Sequence, residues 1–407
     1  MSVGIESNLK PARGYFNLVE YIDSNLVIEG WILVPDKRID KTLLFIDKKF
    51  IREFNIVEKV DVEEAFKFIP HARYSGFAIA EKRDIQADDV VEICIVAMQK
   101  GKQIASMQTC YSKNAADKLV VRDKHLMHRV AHTESVPYFR ASGFKSFFDF
   151  WGPACKQADS AGLKTVLDWG CGCGRLIELF KHLTKNKELY GCDIDAEAID
   201  WCKNNLANIK FNTIPLIPPT EYPDNFFDLV IGNSVFTHLT RDVQFLWLEE
   251  LNRITAKDGL LLATVHGEYA AYFQFQDKVK DILKDGIHDG SIDNTLGDIA
   301  PKDYYRGTYQ SQEYTKREFG KYFEVLDYIE KGSLSFQDLI VMRKKQDYCH
   351  KGSEKKSKVT VEDLLRRTRS EFQLNVLKDK MPKAKNNRFR PLHFINKILL
   401  KIKDRWL

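Results

Sequence analysis

Residues 166–176 read VLDWGCGCGRL: an apolar run, an acid, then Gly170, Gly172 and Gly174 alternating with Cys171 and Cys173. The apolar run predicts a strand and the residues after Gly174 a helix, so the glycines fall on the turn between them. Such a turn lets backbone N–H groups approach a ligand closely, because glycine puts no side chain in the way. Three ligands suit it: a dinucleotide pyrophosphate, a metal held by the cysteines, or a nucleotide-like cofactor without phosphate. The dinucleotide fingerprint wants glycine at its first, third and sixth positions, and counting from Gly170 the sixth is Arg175. A structural zinc needs four ligands, and no second pair matches Cys171 and Cys173; Cys192 and Cys202 stand ten residues apart around a helix start. Small buried thiols account for these cysteines. Asp168, at the end of the strand, would repel a pyrophosphate and suits a ligand carrying an ammonium group.

Working outward, strands and helices alternate. The pattern predicts strand 164–168, helix 174–184, strand 188–193, helix 195–206, strands 208–212 and 227–232, helix 241–255 and strand 259–265. After an insertion come helix 313–322 and strands 323–329 and 336–343, the last two joined by KGSLS as an antiparallel hairpin. This rhythm implies an α/β fold with a mostly parallel sheet covered by helices. The second strand, ELYGCDID, ends on Asp193, where an acid can accept from ribose hydroxyls. S-adenosylmethionine combines the features required: an ammonium, a ribose and no phosphate.

The ordered series VLDWGCGCGR, YGCDID, YPDNFFDLVIGNSVFTHL, LEELNRITAKDGLLLATVHGE and YFEVLDYIEKGSLSFQDLIVMRK resembles the class I, seven-stranded, Rossmann-like S-adenosylmethionine-dependent methyltransferases over roughly residues 120–345. The resemblance implies a seven-stranded sheet closed by a C-terminal hairpin. It also implies a cofactor held at Asp168, Gly170, Gly172 and Gly174 on the methionine side and at Asp193 on the ribose. Many relatives place an acid after the third strand for the adenine amine. Here FNTIPLIPPTEY offers none before Glu221 and leaves Asn212 or backbone groups.

Transfer of a methyl group from a sulfonium demands alignment of the acceptor and exclusion of water. A hydroxyl acceptor also needs a base, for which histidine is the common choice. Ligands in open α/β sheets bind beyond the carboxyl ends of the strands. His238, in GNSVFTHL, and His266, in LLLATVHGE, both follow such ends and are the candidate catalytic bases. Asn233 and Ser234 stand at the mouth of the fourth strand. The insertion at 268–312 carries Tyr269, Tyr272, Phe273, Phe275, Tyr304, Tyr305 and Tyr309, rings suited to a substrate-covering lid or to plain packing.

Residues 1–112 read as short β-runs and predict an antiparallel sandwich. Their VIEGWILVPDKRIDKTLLFIDKKF, VDVEEAF and SGFAIA elements resemble β-sandwich modules found beside bacterial enzymes of surface-polysaccharide assembly, which implies a glycan acceptor. Residues 113–345 form the expected methyltransferase domain, opened by helical spacing in AADKLVVRDKHLMHRVAHTES. The 407-residue chain is 44% hydrophobic and 29% charged, ordinary for a globular protein. Residues 346–407 carry 17 Lys+Arg against 7 Asp+Glu, leaving 45 against 50 in the rest. A mildly acidic body argues against nucleic acid as a partner. The final RPLHFINKILLKIKDRWL puts Leu392, Ile395, Leu399, Ile402 and Trp406 on one helical stripe beside basic residues. Residues 391–407 are therefore expected to form an amphipathic tail that docks on protein or on an anionic membrane surface.

No apolar leader opens the sequence, and the eight cysteines form no disulfide framework, so a cytoplasmic protein is expected, peripheral at the inner face of the membrane if the tail docks there. The functional expectation is O-methylation of a sugar hydroxyl of a glycan or glycolipid precursor with S-adenosylmethionine as cofactor and no metal. N- or C-methylation of a small metabolite, or a non-catalytic cofactor-binding scaffold in envelope assembly, are the alternatives.

Overall fold

The computed structural model describes residues 4–6, 9, 11–293, 295–301, 303–346, 348 and 360–364. Two compact units divide the chain, Met1–Val361 and Glu362–Leu407. Of the second, only its first residues are described. The expected helix at 391–407 and nearly all of the expected linker lie outside the described residues.

Eight strands open the first unit: β1 (Arg13–Ile22), β2 (Asn25–Leu33), β3 (Lys41–Ile46), β4 (Lys49–Asn55), β5 (Val57–Glu58), β6 (Tyr74–Lys82), β7 (Val91–Gln99) and β8 (Lys102–Tyr111), with helix α1 (Val60–Ala65) before β6. They make two four-stranded antiparallel sheets, in the orders β1-β2-β6-β5 and β4-β3-β7-β8. Leu26 and Ile28 of one sheet and Leu44, Ile46, Ile93 and Ile95 of the other bury into a single core. Alternation along β3 and β7 sends Leu43, Phe45, Cys94 and Val96 to the opposite face, where Ile5 and Leu9 cover them.

Helices α2 (Lys113–Lys118), α3 (Lys124–Ala131) and α4 (Val136–Gln157) follow. The helical spacing expected across 115–135 is therefore broken at residues 119–123. The reason is Arg122, a buried side chain that the intervening extended segment turns inward. Its Nη1 bonds Glu178 Oε2 at 2.5 Å, its Nε donates to the Cys173 carbonyl at 3.1 Å, and its Nη2 donates to the Gly174 carbonyl at 3.2 Å. A continuous helix could not deliver that contact. Helix α4 lies between the two parts of the unit: it packs on β1 and β8 on one side and on the following helix on the other. Phe144 and Phe150 on it are fully buried.

The remaining elements are β9 (Thr165–Trp169), α5 (Arg175–Leu183), β10 (Glu188–Asp193), α6 (Ala196–Asn205), β11 (Lys210–Thr213), β12 (Phe227–Gly232), α7 (Arg241–Ile254), β13 (Thr255–Val265), α8 (Glu268–Phe275), α9 (Val279–Ile282), β14 (Ile287–Ile292), β15 (Arg306–Gln310), α10 (Gln312–Phe319), β16 (Phe323–Ser333) and β17 (Gln337–Lys344). Seven of the strands form one sheet in the order β11-β10-β9-β12-β13-β17-β16. The first five run parallel, and β17 is antiparallel to both its neighbours. This is the mostly parallel sheet with a terminal hairpin that the sequence pattern implies. Its central strands are covered on both faces and so read as continuous apolar runs. Leu229, Val230, Ile231, Leu260, Leu261 and Leu262 are wholly withdrawn from water, worth about 1.5–3 kcal/mol each in burial.

Replacing Arg122 with Met leaves Glu178 buried without its partner and should lower stability by about 3–5 kcal/mol, measured by urea unfolding. The double variant Arg122→Met/Glu178→Leu should recover most of that loss. Equal instability in both would assign the effect to the loop carbonyls rather than to the ion pair.

Candidate functional site

A cavity of about 370 Å³ opens beyond the carboxyl ends of β9, β10 and β12. Asp168, Gly170 and Gly172 contribute from the first loop, Asp193 from the end of β10, and Asn233, Ser234, His238 and His266 from the ends of β12 and β13. Eight of the nine residues singled out in the sequence thus meet in one place.

Gly174 is the exception, absent from the cavity wall. It caps α5 with φ of 72°, and a Cβ there would lie 2.7 Å from Leu206 Cδ1 and 3.2 Å from Cys202 Sγ. Its lack of a side chain lets α5 and the following βα unit pack closely. Gly170 lines the cavity and is also closely packed: φ is 77°, and a Cβ would stand 2.3 Å from Val235 Cγ2. Cys171 and Cys173 are buried, and among the described residues no group of three or more His, Cys, Asp or Glu gathers at a common metal position.

Two carboxylates dominate the electrostatics. Asp168 is buried, and its Oδ2 has no hydrogen-bond partner. Loss of hydration, aggravated by the neighbouring charge of Asp193, pushes its carboxyl up to about 7. Asp193 accepts from the Gly172 N–H at 2.7 Å and from the Asp195 N–H at 2.9 Å, so the second strand's acid also fixes the shape of the first loop. Burial raises its carboxyl as well. An unpartnered acid beside a second acid, in a cavity of this size, fits a ligand with a cationic group and hydroxyl donors and opposes an anionic one.

The histidines line the other side. His238 Nδ1 bonds the Arg306 carbonyl at 3.1 Å. A carbonyl can only accept, so Nδ1 carries the proton and Nε2 keeps its lone pair. Asp293 Oδ2 lies 3.6 Å from Nδ1, and the Tyr305 ring stacks on the imidazole with centroids 4.1 Å apart. His266 is buried, stacks on Tyr309 at 5.0 Å and leaves Nδ1 without a partner. Its ring centroid stands 6.1 Å from that of His238. Loss of hydration holds both imidazoles below the usual histidine range, at about 4 for His238 and about 3 for His266. Both are therefore neutral near pH 7, and for His238 the nearby Asp293 carboxylate works against the burial that disfavours its protonated form. Ser234, with φ of 61°, is held in a region that costs a non-glycine residue energy. Its N–H donates to Thr264 Oγ1 at 2.7 Å and its Oγ accepts from Gln337 Nε2 at 2.8 Å.

Several cavity residues had no signal in the sequence. Leu334 and Phe336 come from the turn between β16 and β17, Gln337 opens β17, and Tyr15 comes from β1 of the front sheets. Arg129, Val130 and His132 enter from the end of α3. Arg129 Nη1 binds Asp195 at 2.6 Å, and its Nη2 reaches Asp298 of the insertion at 3.4 Å. Of the seven insertion aromatics, Tyr305 alone lines this cavity. Tyr304 bonds the Leu216 carbonyl, while Phe273 packs edge-on against Phe66 and Phe68, just after α1 in the front part. Asn212, weighed for adenine, donates instead toward the Tyr222 hydroxyl at 3.4 Å.

Residues 166–259 match the sequence model of a methyltransferase-domain family. The ubiquinone biosynthesis O-methyltransferase of Candida albicans is 30% identical over 27% of this chain and 35% of its own length. The rRNA N(6)-adenosine-methyltransferase metl-5 of Caenorhabditis elegans is 30% identical over 18% and 37%. The chain thus spans about a third of the length of the curated relatives it matches. Among solved structures, an S-adenosylmethionine-dependent methyltransferase from Mesorhizobium loti aligns at 10% identity and a TM-score of 0.35, over 48% of this chain and 98% of that one. A Burkholderia thailandensis 1,6-didemethyltoxoflavin-N1-methyltransferase, solved with S-adenosylhomocysteine, aligns at 14% and 0.34, over 56% and 93%. The matched segment and the strand order agree: residues 166–259 are similar to a methyltransferase domain, they lie in a seven-stranded, mostly parallel sheet of the class I order, and the paired acids of the cavity fit S-adenosylmethionine.

Proposed function

We propose that the protein is an S-adenosylmethionine-dependent O-methyltransferase acting on a sugar hydroxyl of a glycan or glycolipid precursor. Asp168 would take the ammonium of the cofactor, Asp193 the ribose hydroxyls, and the Gly170–Gly172 turn would give its backbone room. When bound, the cofactor supplies an activated methyl group. The protein's own part is then to place a hydroxyl in line and accept its proton.

His238 is the base in this reading. The Arg306 carbonyl fixes its tautomer, Nε2 is left as the acceptor, and Asp293 stabilises the imidazolium that forms. This arrangement is the observation that carries the O-methylation reading, since a neutral amine or an activated carbon makes less demand on such a base. The unpartnered Nδ1 of His266 supports it as a second acceptor for the substrate hydroxyl. The named activity of the Candida relative lies in the same class. The glycan is supported by the front sheets, whose Tyr15 reaches the cavity wall. Attachment of the 391–407 tail to an anionic membrane belongs to the same proposal, and no helix among the described residues is long and apolar enough to cross a membrane.

Transfer of a labelled methyl group into cell extracts, separated into polysaccharide, lipid and small-molecule pools, tests the acceptor. Label in the polysaccharide or lipid pool is expected; label confined to small molecules would favour the metabolite alternative, and cofactor binding without transfer a scaffold. On the acceptor so identified, His238→Asn should lower kcat about 10²–10⁴-fold while leaving the affinity for S-adenosylhomocysteine unchanged.

Asp168 gives a pH signature. Below about 7 its carboxyl holds a proton, so affinity for the ammonium-bearing cofactor should fall as the pH drops from 8 to 6. Asp168→Asn should bind weakly and show no such slope by calorimetry. The sign for stability is opposite. The folded chain keeps a proton that the unfolded chain releases in the ordinary carboxylate range, so ionising Asp168 opposes folding as pH rises to about 7. Asp168→Asn should therefore melt higher than the parent at pH 8.

A further inference from the structure

A second recess borders the same wall on its other side, at the seam between the front sheets and the methyltransferase domain. Arg13, Val34, Lys37 and Lys102 line it from the front, and Tyr269 and Lys331 from behind. Arg13 is more than nine-tenths buried, yet its Nε and Nη1 have no hydrogen-bond partner. Among the described residues no carboxylate pairs with it. The guanidinium lies over the Phe336 ring at 4.0 Å and over the Tyr15 ring at 4.8 Å. Those two rings also line the cofactor cavity. Beside it, the buried Tyr269 hydroxyl is unpartnered too, with Lys331 Nζ 4.4 Å above the Tyr269 ring. Two acids, Glu6 and Asp36, stand on the rim.

A buried cation without a counter-ion is costly, and a guanidinium flattened between rings keeps its planar fork of donors in one orientation. Such a fork matches the two oxygens of a carboxylate or phosphate. Tyr269 adds a third donor. We propose that this recess binds an oxyanion carried by the methyl acceptor, with Arg13 and Tyr269 as its ligands. The acceptor is then an acidic or phosphorylated sugar rather than a neutral one. This proposal rests on the methyltransferase reading for the nature of its occupant, but not for the existence of the anion site. Arg13 and Tyr15 are two apart on β1 and so share one face, roughly 7 Å from each other. Tyr15 carries its ring to the cavity wall, so an acceptor with its anion at Arg13 has to extend past that ring for its hydroxyls to face the histidines.

Glucose 6-phosphate, glucuronate and glucose, titrated into the full chain with S-adenosylhomocysteine present, test it by calorimetry. One of the two anions should bind about tenfold or more tightly than glucose, as charge-assisted hydrogen bonds require, and which one distinguishes phosphate from carboxylate. Arg13→Met should abolish that preference and Arg13→Lys retain part of it, with S-adenosylhomocysteine affinity unchanged in both. Equal binding of all three sugars, or an anion preference that survives in Arg13→Met, overturns the proposal. Should Arg13→Met fail to fold, Tyr269→Phe decides: several-fold weaker anion binding supports the site and unchanged binding overturns it. Failure of the parent to bind S-adenosylhomocysteine would instead refute the methyltransferase reading, leaving the anion titration to stand by itself.

Discussion

The grip of Arg122 on the first loop is the constraint from which the site follows. Glycines make the loop able to curve around a ligand, but the same freedom leaves it able to collapse. The loop carries three positive-φ glycines in five residues, so its shape has to be imposed from outside. Arg122 does this from below, through the carbonyls of Cys173 and Gly174, while Asp193 does it from above through the Gly172 N–H. Glu178 keeps the guanidinium in place, and because it lies on the helix that the loop opens, loop and helix are held as one piece.

Charge is graded across the site. Asp168 and Asp193 stand together at the loop, two neutral imidazoles face them, and an unpaired guanidinium lies behind the rings of Tyr15 and Phe336. Among the described residues neither Asp168, whose nearest cationic influence is Arg175, nor Arg13 forms an ion pair. A pair of acids forced together out of water raises both carboxyls, and a cation between them relieves the strain; a lone buried guanidinium asks for the reverse. The same polarity suits a positively charged methyl donor and an acidic acceptor meeting between the two imidazoles.

How much of this was legible in the sequence depended on how local the cause was. The sheet and its helices follow from period and turn chemistry, and each expected element from β9 to β13 lies within a few residues of its predicted place. Asp168, Asp193, His238 and His266 were readable because each stands at or just beyond the carboxyl end of a strand, where the topology of an open sheet leaves a cavity. Gly174 stands off the cavity wall, and the sequence cannot separate the two demands, since packing and ligand approach both call for glycine and only the neighbouring Leu206 and Cys202 mark the packing one. Arg122 was hidden for a different reason: its segment has helical spacing, and the buried carboxylate that outweighs that propensity lies 56 residues away. Tyr15, Arg13 and Phe336 reach the site from opposite ends of the domain pair, and nothing local marks them.

The front sheets are therefore part of the site rather than an appendage. An accessory domain on a tether keeps a polar seam, since its surface must face water when it swings away. Here the seam has an aromatic core beside its charged recess. Helix α4 buries Phe144 against Tyr111 of β8, with ring centroids 5.4 Å apart, and Phe147 against Phe180 of α5 at 5.0 Å. Above it Phe66 and Phe68 of the front part meet Phe273 of the insertion. Separating the parts would expose these rings and withdraw Tyr15 from the cavity wall. Because one helix closes both cores and also presents Ser142 to the Arg175 guanidinium at the cavity, Tyr15 of the front sheets and the paired acids of the parallel sheet share a single support.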